Sequence, residues 1–258
     1  MLTIHAAPLV LPVGAAAVGE GADGRGDGGR GGAVAVDGDR IVAIGPYEEV
    51  AAAHPSARVR RWPGLLAPGL RQDRARELLT RCYHPDPREA EELGELPLRG
   101  EEFDRIAATM DPARRAGSVR RGLQRMLRHG TTHVVGPFDA DDDPALRTAI
   151  ARSGLVQLPP DPSRSRPTEM SPPHPHPSSP PSPDPSPSPH PQGPGRPADL
   201  DPFAAGGDLA STAHGPLTVG GRADFAAFDV PDEAALRTGG AIHCVATVLA
   251  GRLVHRAR

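Results

Sequence analysis

The chain contains no lysine and no asparagine, and all 29 of its basic residues are arginine. With alanine, glycine and proline abundant, that bias reads as the imprint of a GC-rich genome and carries no functional signal. Aromatic residues make up 3% of the 258 positions and hydrophobic residues 38%. Thirty glycines and 32 prolines account for about a quarter of the chain. So little apolar material excludes one uniformly packed body, although the length allows one or two domains with a core. Positive charge is not in excess: the net charge is −3. No global field favours nucleic acid or an anionic membrane. Only two cysteines occur, Cys82 and Cys244. They are too far apart for a metal-binding pair and read as free thiols of a reducing compartment. The start, Met1 to His5, lacks a basic region and a sustained apolar run. A signal peptide and a membrane span are not expected there, and the expected location is cytoplasmic.

What is present falls into three styles of sequence. The first is β-rich. Leu2–His5, Pro8–Leu11, Ala33–Val36, Arg40–Ile44 and Ala57–Trp62 predict strands, with a short helix over Tyr47–Ala53. Asp37-Gly38-Asp39 predicts a hairpin turn, because glycine tolerates the positive φ that such turns need. Residues 14–32 are Gly-rich, without apolar periodicity, and predict a loop. The second style alternates strand and helix. Helices are expected over Arg71–Cys82, Gly100–Met110, Asp111–Arg128 and Asp143–Ile150; strands over Thr131–Gly136 and Leu155–Leu158. Asp111-Pro112 is an N-cap followed by an N1 proline, and Gly130 is a C-terminal stop. That order is expected of part of a parallel sheet. Residues 159–199 hold more than half of the prolines, mixed with Ser, His and Asp. They predict a disordered or semi-rigid linker, able to span roughly 100 Å or more at ~3.1 Å per residue. The third style returns to β, with Ala223–Asp229, Cys244–Leu249 and Arg252–His255, the last two joined by Ala250-Gly251. The two terminal β segments are each too short to stand alone, and pairing with each other is the economical solution.

Several residue patterns invite a functional reading, and each has a plainer one. Gly19-Glu20-Gly21-Ala22-Asp23-Gly24 matches G-x-G-x-x-G but lacks the following helix that would receive a pyrophosphate. Asp139-Ala140-Asp141-Asp142-Asp143 starts like a calcium loop, yet Pro144 and Ile150 stand where Gly and Glu are needed. It reads as a solvated turn with Asp143 as an N-cap. His129 and His133 are four apart with a helix break between them. His174 and His176 form a literal His-x-His in the Pro-rich tract, with nothing to orient them. Cys82-Tyr83-His84 places a thiol near an imidazole without a productive geometry. Arg114, Arg115, Arg120, Arg121, Arg125 and Arg128 make one helix strongly basic. A solvated face is the plain explanation, and an anionic ligand or acidic partner the sharper one.

The stretch Gly64-Leu65-Leu66-Ala67-Pro68-Gly69-Leu70 resembles the "LLAPGLVNAHTH" entry into the barrel of the amidohydrolase superfamily. "GAVAVDGDRIVAIGPYEEVAAAHPSARVRRWPGLLAPGL" is similar to the first half of the composite β-domain of imidazolonepropionases and aminodeoxyfutalosine deaminases. "GPLTVGGRADFAAFDVPD" and "VATVLAGRLVHRAR" resemble its closing half, with Gly220–Asp224 as the turn before a strand. "RRGLQRMLRHGTTHVVG" resembles the first barrel helix entering the second barrel strand. The resemblance implies a hydrolase of non-peptide C–N bonds, with zinc, iron or nickel held first by a His-x-His pair. Here Arg74 and Arg76 stand in those two places. A guanidinium stays protonated and offers donors only, so it cannot ligate a cation. A closed eight-unit barrel needs at least ~200 residues. Fewer than 150 lie between Ala67 and Gly215, and the Pro-rich tract takes about 40 of them.

The expected fold is therefore mixed α/β. A β-sandwich-like composite domain from residues 1–66 and 201–258 flanks an incomplete, TIM-barrel-derived β/α segment (67–158) and a linker (159–200). The expected function is amidohydrolase-like but catalytically degenerate, structural or regulatory, with no cofactor and the family metal lost. No catalytic or metal-binding residue is assigned. Unsatisfied sheet edges point to a homodimer or an active amidohydrolase relative as partner, without nucleic acid or membrane. Two alternatives stay open: an active C–N hydrolase with unidentified or partner-supplied ligands, and an unrelated small binding module with a Pro-rich arm.

Overall fold

The computed structural model describes residues 1–14, 16–19, 31–139, 142–161 and 200–257. Strands β1 (Thr3–Ala7), β2 (Leu9–Val10), β3 (Val18–Gly19), β4 (Gly32–Asp37) and β5 (Arg40–Pro46) come first, then helix α1 (Tyr47–Ala53). Three strands follow: β6 (Arg58–Arg61), β7 (Leu65–Pro68) and β8 (Leu70–Gln72). The middle holds α2 (Ala75–Thr80), α3 (Ala90–Leu93), α4 (Gly100–Ala107), α5 (Pro112–Arg128), β9 (Thr131–Val135), α6 (Pro144–Ser153) and β10 (Val156–Leu158). The last part holds α7 (Leu209–Thr212), β11 (Phe225–Phe228), α8 (Glu233–Gly239), β12 (Cys244–Leu249) and β13 (Arg252–Arg256).

These elements form three sheets. The first has the order β5-β4-β1-β6, the second β13-β12-β11-β7-β2-β3 and the third β10-β9-β8. The second sheet joins the two chain ends, since β7 pairs antiparallel with β11, from Leu65↔Phe228 to Pro68↔Phe225. Its central strands show why. In β11, Phe225 and Ala227 enter one apolar cluster with Val34, Val36 and Ile41 of the first sheet. Ala226 and Phe228 point the other way, into a cluster with Leu65, Leu70, Phe203 and Leu209. A strand buried on both faces cannot sit at a surface, so β11 and β7 lie at the centre.

The third sheet is wholly parallel and carries its helices on one face. Val134 of β9 packs there against Leu78, Val119, Leu123, Met126 and Ile150 of α2, α5 and α6. The capping residues set these helices as the sequence suggests. Asp111 accepts from Arg114 N at the start of α5, Asp143 from Ala145 N at the start of α6, and Gly154 ends α6 in the left-handed region.

Gly69 is the joint between the second and third sheets. Its N–H donates to Asp224 O and its carbonyl accepts from His214 N. A Cβ on Gly69 would overlap the Thr132 side chain. The entry motif is thus a one-residue link between two sheets, at a spot where only glycine fits.

Four expectations change. Arg71–Cys82 is not one helix: Leu70–Gln72 pairs with β9, and α2 begins only at Ala75. Pairing with a neighbouring strand overrode the local helical pattern. Within 14–32, Val18–Gly19 pairs with β2 and Gly32 starts β4; residues 15 and 20–30 lie outside the described residues. The β8 edge of the parallel sheet is not open. It is covered from the C-terminal side, by a bridge between Leu70 and Ala213 and by Gln72 Nε2 donating to Leu200 O. Helices α7 and α8 had not been expected, although Asp208 and Asp232 cap them. Most of the Pro-rich tract, 162–199, lies outside the described residues.

Candidate functional site at the end of the parallel sheet

The carboxyl ends of parallel strands are where an open α/β sheet presents chemistry. Here a cleft of about 680 Å³ opens beside the end of β8, lined by Arg71, Asp73, Arg74, Asp201, Ser211 and Thr212 among others. Arg71 Nε lies 2.7 Å from Asp73 Oδ1. Arg74 precedes the first residue of α2 and binds Glu77 through two nitrogens, at 3.0 and 2.8 Å. Arg76, in the first turn of α2, reaches across to the loop after β9. There it donates to Pro137 O and forms a 2.7 Å ion pair with the buried Asp142. The Arg76 hydrogen bond holds the Asp142 carboxyl below its ordinary range, against the opposing effect of burial.

The metal that the resemblance implies does not fit these residues. Both His-x-His positions carry guanidinium groups bound to carboxylates. The nearby carboxylates are committed as well. Asp142 also accepts from Asp139 N, and Asp201 accepts from Phe203 N and Ala241 N. Among the described residues no group of three or more His, Cys, Asp or Glu could hold a metal ion.

One constellation has no local sequence signal. His133 of β9 faces His214, their ring centroids 4.3 Å apart. In register beside His133 is Arg71, on the sheet face opposite Val134. Burial, reinforced by His214, Arg222 and Arg71, pushes the His133 pKa down to about 3. Such an imidazole is neutral at working pH and a poor general base, which works best with a pKa near the ambient pH. Its Nδ1 shares a 2.7 Å hydrogen bond with Thr132 Oγ1. His133 and His214 are 81 positions apart, so only the tertiary fold brings them together.

The remaining candidates resolve into structural roles. His129 hydrogen-bonds Arg125 O and does not join His133. Cys82 and His84 form no dyad: His84 Nε2 meets Leu78 O at 3.0 Å, while the thiol faces Glu77 O at 3.9 Å. Burial lowers the His84 pKa to about 4. Tyr83 donates to Glu89 and accepts from Arg114, which stitches the 83–95 segment to α5. The basic face of α5 is less solvated than expected. Arg114, Arg115 and Arg121 pair with Glu89, Asp143 and Asp86, and Arg125 donates to Glu95 O. Asp143 is the expected cap. His174 and His176, and Glu20 to Gly24 of the glycine motif, lie outside the described residues, as do Ala140 and Asp141.

Residues 32–57 match the family model of the imidazolonepropionase-like composite domain of bacteria. They cover β4, β5 and α1. No curated protein matches the chain. Among solved structures, an adenosine deaminase from Xanthomonas campestris with bound zinc is 22% identical, with a TM-score of 0.40; the match covers 60% of this chain and 33% of that one. Escherichia coli guanine deaminase is 14% identical, also at 0.40, over 62% and 36% of the two chains. Helicobacter pylori aminofutalosine deaminase is 13% identical, at 0.35, over 60% and 34%. The chain therefore spans about a third of the length of these structures. No helix among the described residues is long and apolar enough to cross a membrane. The likeness to the imidazolonepropionase-like composite domain thus rests on residues 32–57.

Proposed function

We propose that this chain is a non-catalytic amidohydrolase-like protein whose role is structural or regulatory. In this reading the second and first sheets are the composite domain, and β8 to β10 with α2, α5 and α6 are a partial barrel. The observation that carries the reading is the pair of arginines in the ligand positions. Arg74 begins α2 and Arg76 locks the loop after β9 through Asp142, so the strand end is closed by ion pairs. A guanidinium repels a divalent cation and cannot be deprotonated to receive one. Burial lowers the proton affinity of His133, which makes that imidazole a poor base.

A second copy or an active relative is the proposed partner, docking on the half-buried β10 edge of the parallel sheet, which no further strand of the described residues pairs with. Metal analysis tests the central claim. Purified protein, loaded with zinc, iron or nickel and then dialysed, is expected to retain far less than one ion per chain. Stoichiometric metal that survives dialysis, together with hydrolysis of a C–N substrate, would overturn it. Light scattering after size-exclusion tests the partner: a strict monomer removes the self-association arm.

A further inference from the structure

We propose that the groove between α5 and the segment 85–95 binds an elongated, phosphate-bearing small anion. The groove has a volume of about 330 Å³, and four arginines line it, Arg120, Arg121, Arg125 and Arg128, against one carboxylate, Asp86. Gln124 adds a neutral amide between them. Two of the guanidinium groups are already fixed. Arg121 Nε donates to His84 O at 2.8 Å and its Nη1 to Asp86 at 3.0 Å, while Arg125 Nη2 donates to Glu95 O at 2.6 Å. Each keeps further N–H donors, since a guanidinium has five. Arg120 and Arg128 are exposed, and neither has a carboxylate partner among the described residues.

The crowding has an electrostatic cost. The Arg125 pKa is lowered, first by burial and then by Arg128 and Arg121. An anion between these side chains would relieve that repulsion, and phosphate oxygens match the planar fork of arginine. Length decides the shape of the ligand. At ~1.5 Å per residue, Arg121 and Arg128 are about 10 Å apart along the helix axis. A lone tetrahedral anion cannot reach both ends, whereas linked phosphates can. The net charge of −3 gives no broad attraction, so the binding is local and suits a small ligand better than a nucleic-acid duplex. The groove shares no lining residue with the cleft at the end of β8, nor with Arg76 and Asp142, and the two readings stand or fall separately.

Titration calorimetry of the full chain with inorganic tripolyphosphate tests the site. One ligand per chain is expected, with affinity that falls as salt rises and exceeds that for sulfate. R120Q/R128Q is expected to weaken binding at least about tenfold, the loss of two charge-assisted contacts. Because both heads are exposed, its circular dichroism and thermal midpoint should match the parent. R58Q/R252Q, at exposed arginines of β6 and β13, should bind as the parent does. The proposal is overturned if tripolyphosphate does not saturate, or if the two double variants weaken it equally. Tighter binding of a duplex oligonucleotide through Arg120 and Arg128 would also overturn it, in favour of nucleic acid.

Discussion

In the six-stranded sheet, β7 and β11 bury apolar side chains on both faces. In the three-stranded sheet, Val134 packs against the helices, while Leu70 joins the cluster shared with β7 and β11. Its other face and its strand end carry Arg71, Arg76 and His133, settled by Asp73, Asp142 and His214. The two sheets are continuous through Gly69, yet one is held by packing and the other is finished by ion pairs. Apolar burial is worth about 25 cal/mol per Å² wherever it occurs. An ion pair with one partner exposed adds less. Stability should thus be concentrated where the chain ends meet, and the arginine-lined end should tolerate change.

The strongest way to break that contrast is Phe225→Ala. Phe225 is fully buried between the first two sheets, so its truncation should cost about 3–5 kcal/mol, read as a fall in the urea midpoint. A cost no larger than that of a surface change would place the main core elsewhere.

Acid should sharpen the contrast next. His5, His84 and His133 are buried, and burial lowers their pKa values to about 4, 4 and 3. His5 Nδ1 accepts from Trp62 Nε1, which requires an unprotonated nitrogen. Below an unfolded-state pKa of ~6.5 the unfolded chain binds protons that the folded one refuses. Their stabilisation is complete above pH ~6.5 and is lost as the pH falls toward 4. The expected loss is a few kcal/mol in all, read from urea midpoints at pH 7, 5.5 and 4.5. His133→Gln and His5→Gln should each flatten the slope, since each removes one proton that only the unfolded chain takes up. A midpoint independent of pH would show that these imidazoles are not held neutral.

The smallest effect should come from Arg76→Gln. Arg76 is 43% exposed, and its removal leaves Asp142 with the Asp139 N–H as a remaining partner. About 1 kcal/mol is expected from thermal melts. A cost like that of Phe225→Ala would make the strand end a second centre of stability.

What could be read in advance follows the same division. Signals that act within a few residues were legible. Asp111-Pro112, Asp143 and the Asp37-Gly38-Asp39 turn lie where their side chains or φ angles demand. The pairing of the chain ends was legible too, because β segments that short need each other. Signals carried by neighbours were not. Leu70–Gln72 is a strand because β9 lies alongside, and the His133–His214 contact joins positions with no shared pattern. The partners of the α5 arginines lie at residues 84–95 and 143, so the helix alone looked solvated. Asp232 before Glu233-Ala234-Ala235-Leu236 is a local signal for α8, since its side chain caps Ala235 N.

The pairing of β7 with β11 also sets a schedule for synthesis. Leu65 and Phe228 are register partners roughly 160 residues apart in sequence. At ~5–20 residues per second on the ribosome, β7 emerges some 8 to 30 s before the strand that covers it. For that interval a fully apolar strand has β2 along one edge and nothing along the other. The nascent chain is then open to aggregation or chaperone capture, and the sheet closes only once β11 has been made.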